Sequence, residues 1–214
     1  MILFSNRAEA GRRLANVLES VVGEDAIVLA IPRGGVVVGF EVARALNVPL
    51  DVIIPRKIGA PNNPEIAVGA VTEDGTIILD DELVRYLQVS KEYIEEESER
   101  QRLEIERRLK TYRGNAPYPS LKNREVIIVD DGIATGSTMK AALASAHKRG
   151  AKTVTIAVPV APQTVIDELK KECENVICLQ TPEPFFAIGE FYEDFTQTDD
   201  EEVARLLKLS RYQR

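Results

Sequence analysis

The chain has 214 residues, 44% of them hydrophobic and 29% charged, a balance that excludes a disordered polypeptide and leaves ample material for a core. Its net charge of −7 argues against a nucleic-acid partner held on a broad basic surface, and no apolar run has the length of a membrane span. The opening Met-Ile-Leu-Phe-Ser-Asn-Arg is too short in apolar residues for a secretory leader. A cytoplasmic protein with no membrane partner is therefore expected, folded as one domain over residues 1–214. The two cysteines, Cys173 and Cys178, have neither zinc-like nor redox spacing, and no metal-ligating set is expected.

In chain order, Asn6 followed by Glu9 opens a helix with apolar positions Ala10, Leu14, Val17 and Leu18, ended by Gly23. Residues 26–31 form an apolar strand that runs into Pro32, Arg33, Gly34 and Gly35, and a second helical pattern follows through Val38, Val42, Ala45 and Leu46. Strand, glycine turn and helix begin a βαβ unit. The glycines permit close backbone approach and Arg33 sets a fixed charge beside them, although the triplet taken alone is more often a turn with a solvated arginine. A strand at residues 50–54 closes with Pro55, Arg56, Lys57, Ile58 and Gly59, and the Pro- and Asn-rich residues 60–65 read as a loop able to act as a lid.

Residues 67–71 and 76–79 flank Asp74-Gly75 and predict a hairpin, followed by a short helix over 81–87. Ser90 caps a long charged helix reaching Gly114, wholly polar over residues 95–102, with i,i+4 pairs Glu96/Arg100, Glu104/Arg108 and Glu106/Lys110. Composition favours a solvated helix; a shield over a site and the surface of a homodimer are the alternatives. Further strands are expected at 153–158 and 176–179, joined by a helix with Pro162 near its start. Gly189 then lies among Phe185, Phe186, Phe191 and Tyr192, and acidic residues 199–201 open a terminal helix. His147, the only histidine, is placed well along its helix and given no catalytic role.

Residues 126–138 organise the rest. Four β-branched residues without alternation, 126–129, suit a strand buried on both faces of a parallel sheet. Asp130 and Asp131 leave it at the carboxyl end, where open α/β sheets place ligands. Gly132 and Ala134 lead to Thr135, Gly136, Ser137 and Thr138 just before a helical pattern, a turn suited to phosphate because a helix start offers free N–H groups and a positive dipole end. Acids beside a phosphate cradle suggest a phosphorylated ribose. A Walker A loop is disfavoured because Ser137 stands where its lysine would be. The bland alternative is a capped helix with Thr135 or Ser137 as N-cap.

This segment resembles the 5-phosphoribosyl-1-pyrophosphate (PRPP) motif of type I phosphoribosyltransferases. The resemblance implies an α/β fold with a mostly parallel central sheet flanked by helices over about 26–179; the hairpin, and the charged helix at about 90–113 as an insertion before the motif's strand, are additions read from the residues. It further implies that Asp130 and Asp131 bind the ribose hydroxyls, that Thr135, Gly136, Ser137 and Thr138 hold the 5-phosphate with Gly132 and Ala134 also binding PRPP, and that Arg33, Gly34, Gly35, Arg56 and Lys57 face pyrophosphate. Arg33, Lys57, Asp130 and Asp131 are the implied catalytic set, with Mg2+ carried by PRPP and a nitrogenous base as second substrate. A hood over that base is expected at 180–195, with Phe185 and Phe186 stacking on it. A non-catalytic PRPP-sensing regulator would keep the same pocket, and a phospho-acceptor domain is disfavoured for want of an early acidic strand.

Overall fold

The computed structural model describes residues 2–23 and 25–212. Five parallel strands, β1 (Ile27–Ala30), β2 (Leu50–Val52), β6 (Glu125–Val129), β7 (Thr153–Val160) and β8 (Asn175–Gln180), form one sheet in the order β2-β1-β6-β7-β8. The uninterrupted apolar runs are explained by two cores. Val28 and Ile127 pack on one face, beneath α1 (Arg7–Leu18), α2 (Gly34–Leu46) and α7 (Asp200–Tyr212). Ile27, Leu29 and Ile128 pack on the other, beneath α5 (Ser137–Lys148) and α6 (Gln163–Leu169). Both residues of each in/out pair are thus buried, so apolar alternation disappears. Strand order reverses between β1 and β6, which pair with Ile27 opposite Val126, and the crevice beyond their carboxyl ends is where such a sheet receives a ligand.

The first helix is capped as expected, Asn6 accepting from the Glu9 N–H at 2.9 Å, but stops at Leu18 rather than Gly23. Arg56 and Lys57 do not close the second strand of the main sheet. They open β3 (Arg56–Ala60), which pairs antiparallel with β4 (Asn63–Val71), itself paired with β5 (Ile77–Leu79). The predicted loop at 60–65 is therefore a tight turn at Pro61 and Asn62 with strand on both sides. Gly59 makes this possible: a Cβ there would lie 2.7 Å from the Pro64 carbonyl, and the register shifts around it.

Between β5 and β6 in the chain come α3 (Asp81–Tyr86) and α4 (Lys91–Arg113), the latter capped by Ser90. The solvated reading of α4 fails, because Ile94, Glu97, Ser98, Ile105, Tyr112 and Arg113 are buried. Glu97 is satisfied within the helix by Arg100 and Gln101, while two other polar side chains reach distant groups. Tyr93 Oη donates to the Gly59 carbonyl at 2.9 Å, and Arg113 donates to Asp51 at 2.7 Å and to the Val52 carbonyl at 3.0 Å. Of the expected pairs only Glu104/Arg108 forms; Arg100 turns to Glu97 and Glu106 to Arg102.

Because Ile105 is fully buried while Leu103 is 56% exposed, Ile105→Ala should cost about 2–5 kcal/mol and Leu103→Ala under about 1 kcal/mol in urea unfolding. Equal losses would return α4 to the solvent.

Candidate functional site

The loops leaving β1 and β6 are pressed together. A Cβ added to Gly34 would overlap Asp131 Oδ2 and stand 2.6 Å from Arg7 Nε; one added to Gly35 would stand 2.8 Å from Asp130 Oδ1. Glycine at both positions is thus dictated by the acidic pair. The Pro32–Arg33 peptide between strand and helix is cis.

Asp131 is held from three directions. Arg7 Nε donates to its Oδ2 at 2.7 Å, Tyr192 Oη donates to its carbonyl at 2.6 Å, and its own N–H donates to Asp130 Oδ1 at 2.8 Å. Arg7 is fixed in turn by the Thr196 carbonyl at 2.8 Å and by the Phe195 ring, 3.8 Å away. Burial, and then the charge of Asp131, push the Asp130 carboxyl well above its ordinary range. Burial also raises Asp131, but the Arg7 guanidinium opposes it. The pair is therefore asymmetric: Arg7 favours charge on Asp131 and leaves Asp130 the more readily protonated.

Downstream, Gly132 fits beneath Ile188, whose Cγ2 would be 2.7 Å from an added Cβ. Ala134 and Thr135 are exposed. Gly136 occupies the N-cap of α5 at φ +83°, with no side-chain cap hydrogen bond. The capped-helix alternative is not what forms, and the first N–H groups of α5 stay available. Asp130, Asp131, Gly132, Ala134, Thr135, Gly136 and Thr138 line a cavity of about 190 Å³, joined by Lys57 from β3 and by Ile188. A second cavity of about 420 Å³ adjoins it, sharing Lys57 and Thr138 and walled by Pro32, Arg56, Tyr93, Gln101 and Arg108 among others. Among the described residues, neither Arg56 nor Lys57 has a carboxylate within 4.0 Å.

Arg33 is in neither wall; its guanidinium lies 3.8 Å from Asp200. Phe185 packs on Phe191, with ring centroids 4.9 Å apart, whereas Phe186 is 78% exposed. Phe191 and Tyr192 are buried against Phe4. Within the aromatic segment it is Ile188 that reaches the first cavity. His147 is exposed at the far end of α5. Sequence reasoning missed Arg7, Tyr192, Ile188 and Gln101. Tyr192 and Ile188 lay within the aromatic segment expected as a hood, and Arg7 just after the N-cap Asn6, but neither signal concerned Asp131; Gln101 had none.

This sheet, with a small antiparallel sheet beside it, is the fold of a type I phosphoribosyltransferase. Residues 4–195 match the phosphoribosyl transferase domain, and the chain belongs to that family. Two Mycobacterium tuberculosis proteins, from strains CDC 1551 / Oshkosh and ATCC 25618 / H37Rv, each named "Putative phosphoribosyl transferase", are 44% identical to it over 207 residues. The match covers 97% of this chain and 47% of theirs, so the chain spans about half the length of these curated relatives. The crystal structure of TT1426 from Thermus thermophilus superposes with a TM-score of 0.83 at 43% identity, covering 96% of this chain and 98% of that one. A hypothetical protein from Neisseria gonorrhoeae, solved with bound ppGpp, shares the fold at a TM-score of 0.51 and 15% identity, covering 99% of this chain and 98% of that one. Among the described residues, no helix is long and apolar enough to cross a membrane.

The raised Asp130 carboxyl makes a stability prediction. The native state binds its proton more tightly than the unfolded chain does, so the associated stabilisation is full below the ordinary value of 3.8 and is lost as pH rises through the native value. Asp130→Asn keeps the oxygen that accepts from the Asp131 N–H and has no such loss. Denaturant titrations should show the variant gaining on the wild type as pH increases, with the two converging in acid. A pH-independent difference would remove the buried-carboxyl account.

Proposed function

We propose that the protein transfers a 5-phosphoribosyl group between PRPP and a nitrogenous base. The observation supporting this most directly is convergence on one cavity: the acidic pair, the uncapped start of α5 and the amine-bearing Lys57 all border the same 190 Å³ space. A diol, a phosphate and a second anion on one sugar require that set. In the reaction the bond from ribose C1 to pyrophosphate oxygen breaks, its electron pair leaves with pyrophosphate, and a ring nitrogen of the base bonds to C1 and loses its proton. Positive charge grows on the ribose ring and negative charge on the leaving group.

Asp131, pinned by Arg7, holds a ribose hydroxyl as a carboxylate, and Asp130 holds its neighbour. Of the two, Asp130 is suited to receive the acceptor's proton, since burial favours its neutral form. Gly132, Ala134, Thr135, Gly136, Ser137 and Thr138 enclose the 5-phosphate. Gly34 and Gly35 keep backbone close to the diphosphate, which Arg33, Arg56 and Lys57 face. Arg33 would leave Asp200 to do so; at 3.8 Å with both side chains about one-third exposed, that pair is worth at most about 1 kcal/mol, little against a diphosphate. Mg2+, a hard cation that takes oxygen ligands, would be carried in chiefly on the diphosphate and ribose oxygens of PRPP, beside the acid pair. When bound, it neutralises part of the charge developing on pyrophosphate. At the acceptor end, Ile188 packs beneath the base and Phe186, two positions earlier and open to solvent, stacks on it.

Calorimetry with PRPP and magnesium should show binding that falls about tenfold to a hundredfold in Asp131→Asn, since a hydrogen bond to an ionised group is worth about 1.5–3 kcal/mol. Thr135→Val should also weaken it. Wild-type affinity in both variants would end the assignment.

With an acceptor in hand, Lys57→Ala and Arg33→Ala should lower kcat more than they raise KM, because charge on pyrophosphate grows in the transition state. Phe186→Ala should raise the acceptor KM about fivefold or more while leaving PRPP binding alone. If KM for the acceptor does not move, the base lies elsewhere.

A further inference from the structure

The most polar stretch of the chain, residues 95–102, is anchored where it faces β3. Glu97, only 7% exposed, accepts from Gln101 Nε2 at 2.6 Å and pairs with Arg100 at 2.6 Å. The other end of the Gln101 amide, Oε1, accepts from Arg56 Nε. With Nε engaged, the terminal nitrogens of Arg56 remain for the 420 Å³ cavity, which Arg108 also borders. An arginine in a protein interior is ordinarily met by a carboxylate. Here a neutral amide meets it, and the acid sits one residue further back. That arrangement fixes the guanidinium without cancelling its charge. Burial and then Arg108 lower the Arg56 pKa, as expected where like charges gather around one centre.

We propose that Gln101, held by Glu97, is a positioning residue that aims the Arg56 guanidinium into the second cavity, making α4 one wall of a subsite for a diphosphate group. This rests on the reading of PRPP as substrate. A diphosphate is favoured because Lys57 belongs to both cavities, so an anion here is continuous with the ligand in the first, and because the arginine fork matches phosphate oxygens two at a time. The inserted helix thereby contributes to substrate binding through side chains that never touch the ribose.

The test uses the full chain, calorimetry and two probes with magnesium present, inorganic pyrophosphate and ribose 5-phosphate. Gln101→Met keeps the length and loses both hydrogen bonds; pyrophosphate affinity should fall about tenfold, with ribose 5-phosphate affinity within about twofold of wild type. The double variant E97Q/Q101E keeps the pairing of positions 97 and 101, with the amide now donating from 97, and keeps the acceptor for Arg56 Nε, but moves the negative charge from beside Arg100 to against Arg56. A purely structural role predicts that it behaves as wild type or is more stable. The proposal predicts an undiminished melting temperature together with weakened pyrophosphate binding. Unchanged pyrophosphate affinity in both variants, or parallel loss of both probes, overturns the positioning role while leaving the substrate reading intact. A wild-type protein that binds ribose 5-phosphate but not pyrophosphate overturns the diphosphate subsite itself, and one that binds neither overturns the substrate reading as well.

Discussion

Two peptide loops meeting at less than side-chain distance is the constraint from which the site follows. For Gly34 and Gly35 to lie against Asp131 and Asp130, β1 and β6 must be parallel neighbours in the register Ile27 to Val126, and α2 must begin at Gly34 itself. Any side chain at Gly34 would enter the space shared by Asp131 and Arg7. The sheet reversal, the early helix start and the ion pair are therefore one requirement seen from three sides.

The central sheet was readable because its burial is two-sided: residues 126–129 have no polar face to confuse the pattern, and Gly34-Gly35 punctuate the first strand cleanly. Caps at Asn6 and Ser90 and the Asp74-Gly75 turn are local chemistry, decided within a few residues. The β3–β4 pairing was hidden because Pro61, Asn62, Asn63 and Pro64 carry turn chemistry, while only Gly59 and its close approach to Pro64 let strand continue through them. The burial of α4 was hidden for a different reason. Periodicity counts apolar residues, whereas Glu97 goes inside on contacts with Arg100 and Gln101 of its own helix and Arg113 on Asp51, a partner that no window of sequence contains. Arg7 escaped for the same reason.

The charge distribution departs from the average as strongly as the helix does. In a chain of net −7, the larger cavity brings Arg56, Lys57, Arg100 and Arg108 against Glu65 and Glu97. Arg100 and Arg108 are compensated by their own helix, at Glu97 and Glu104. Arg56 and Lys57, on β3, are not so compensated among the described residues. The sheet supplies the active charge, and the helix supplies neutral or paired groups that hold it. An acidic exterior also leaves the cavity as a local attractor for an anion that the rest of the surface repels.

The surroundings of Asp131 are assembled from pieces far apart in the chain. Arg7 is 124 residues from it and Tyr192 is 61 residues away, while residues 3 and 4 are stitched to 191–193 by backbone hydrogen bonds. Closing such long loops costs entropy that only the finished contacts return. The sheet can be complete while the acidic pair still lacks the groups that orient it. During refolding, the closing of the acidic pair's surroundings should therefore trail the recovery of secondary structure, so a population with native circular dichroism can contain molecules in which Arg7 and Tyr192 have not yet reached Asp131.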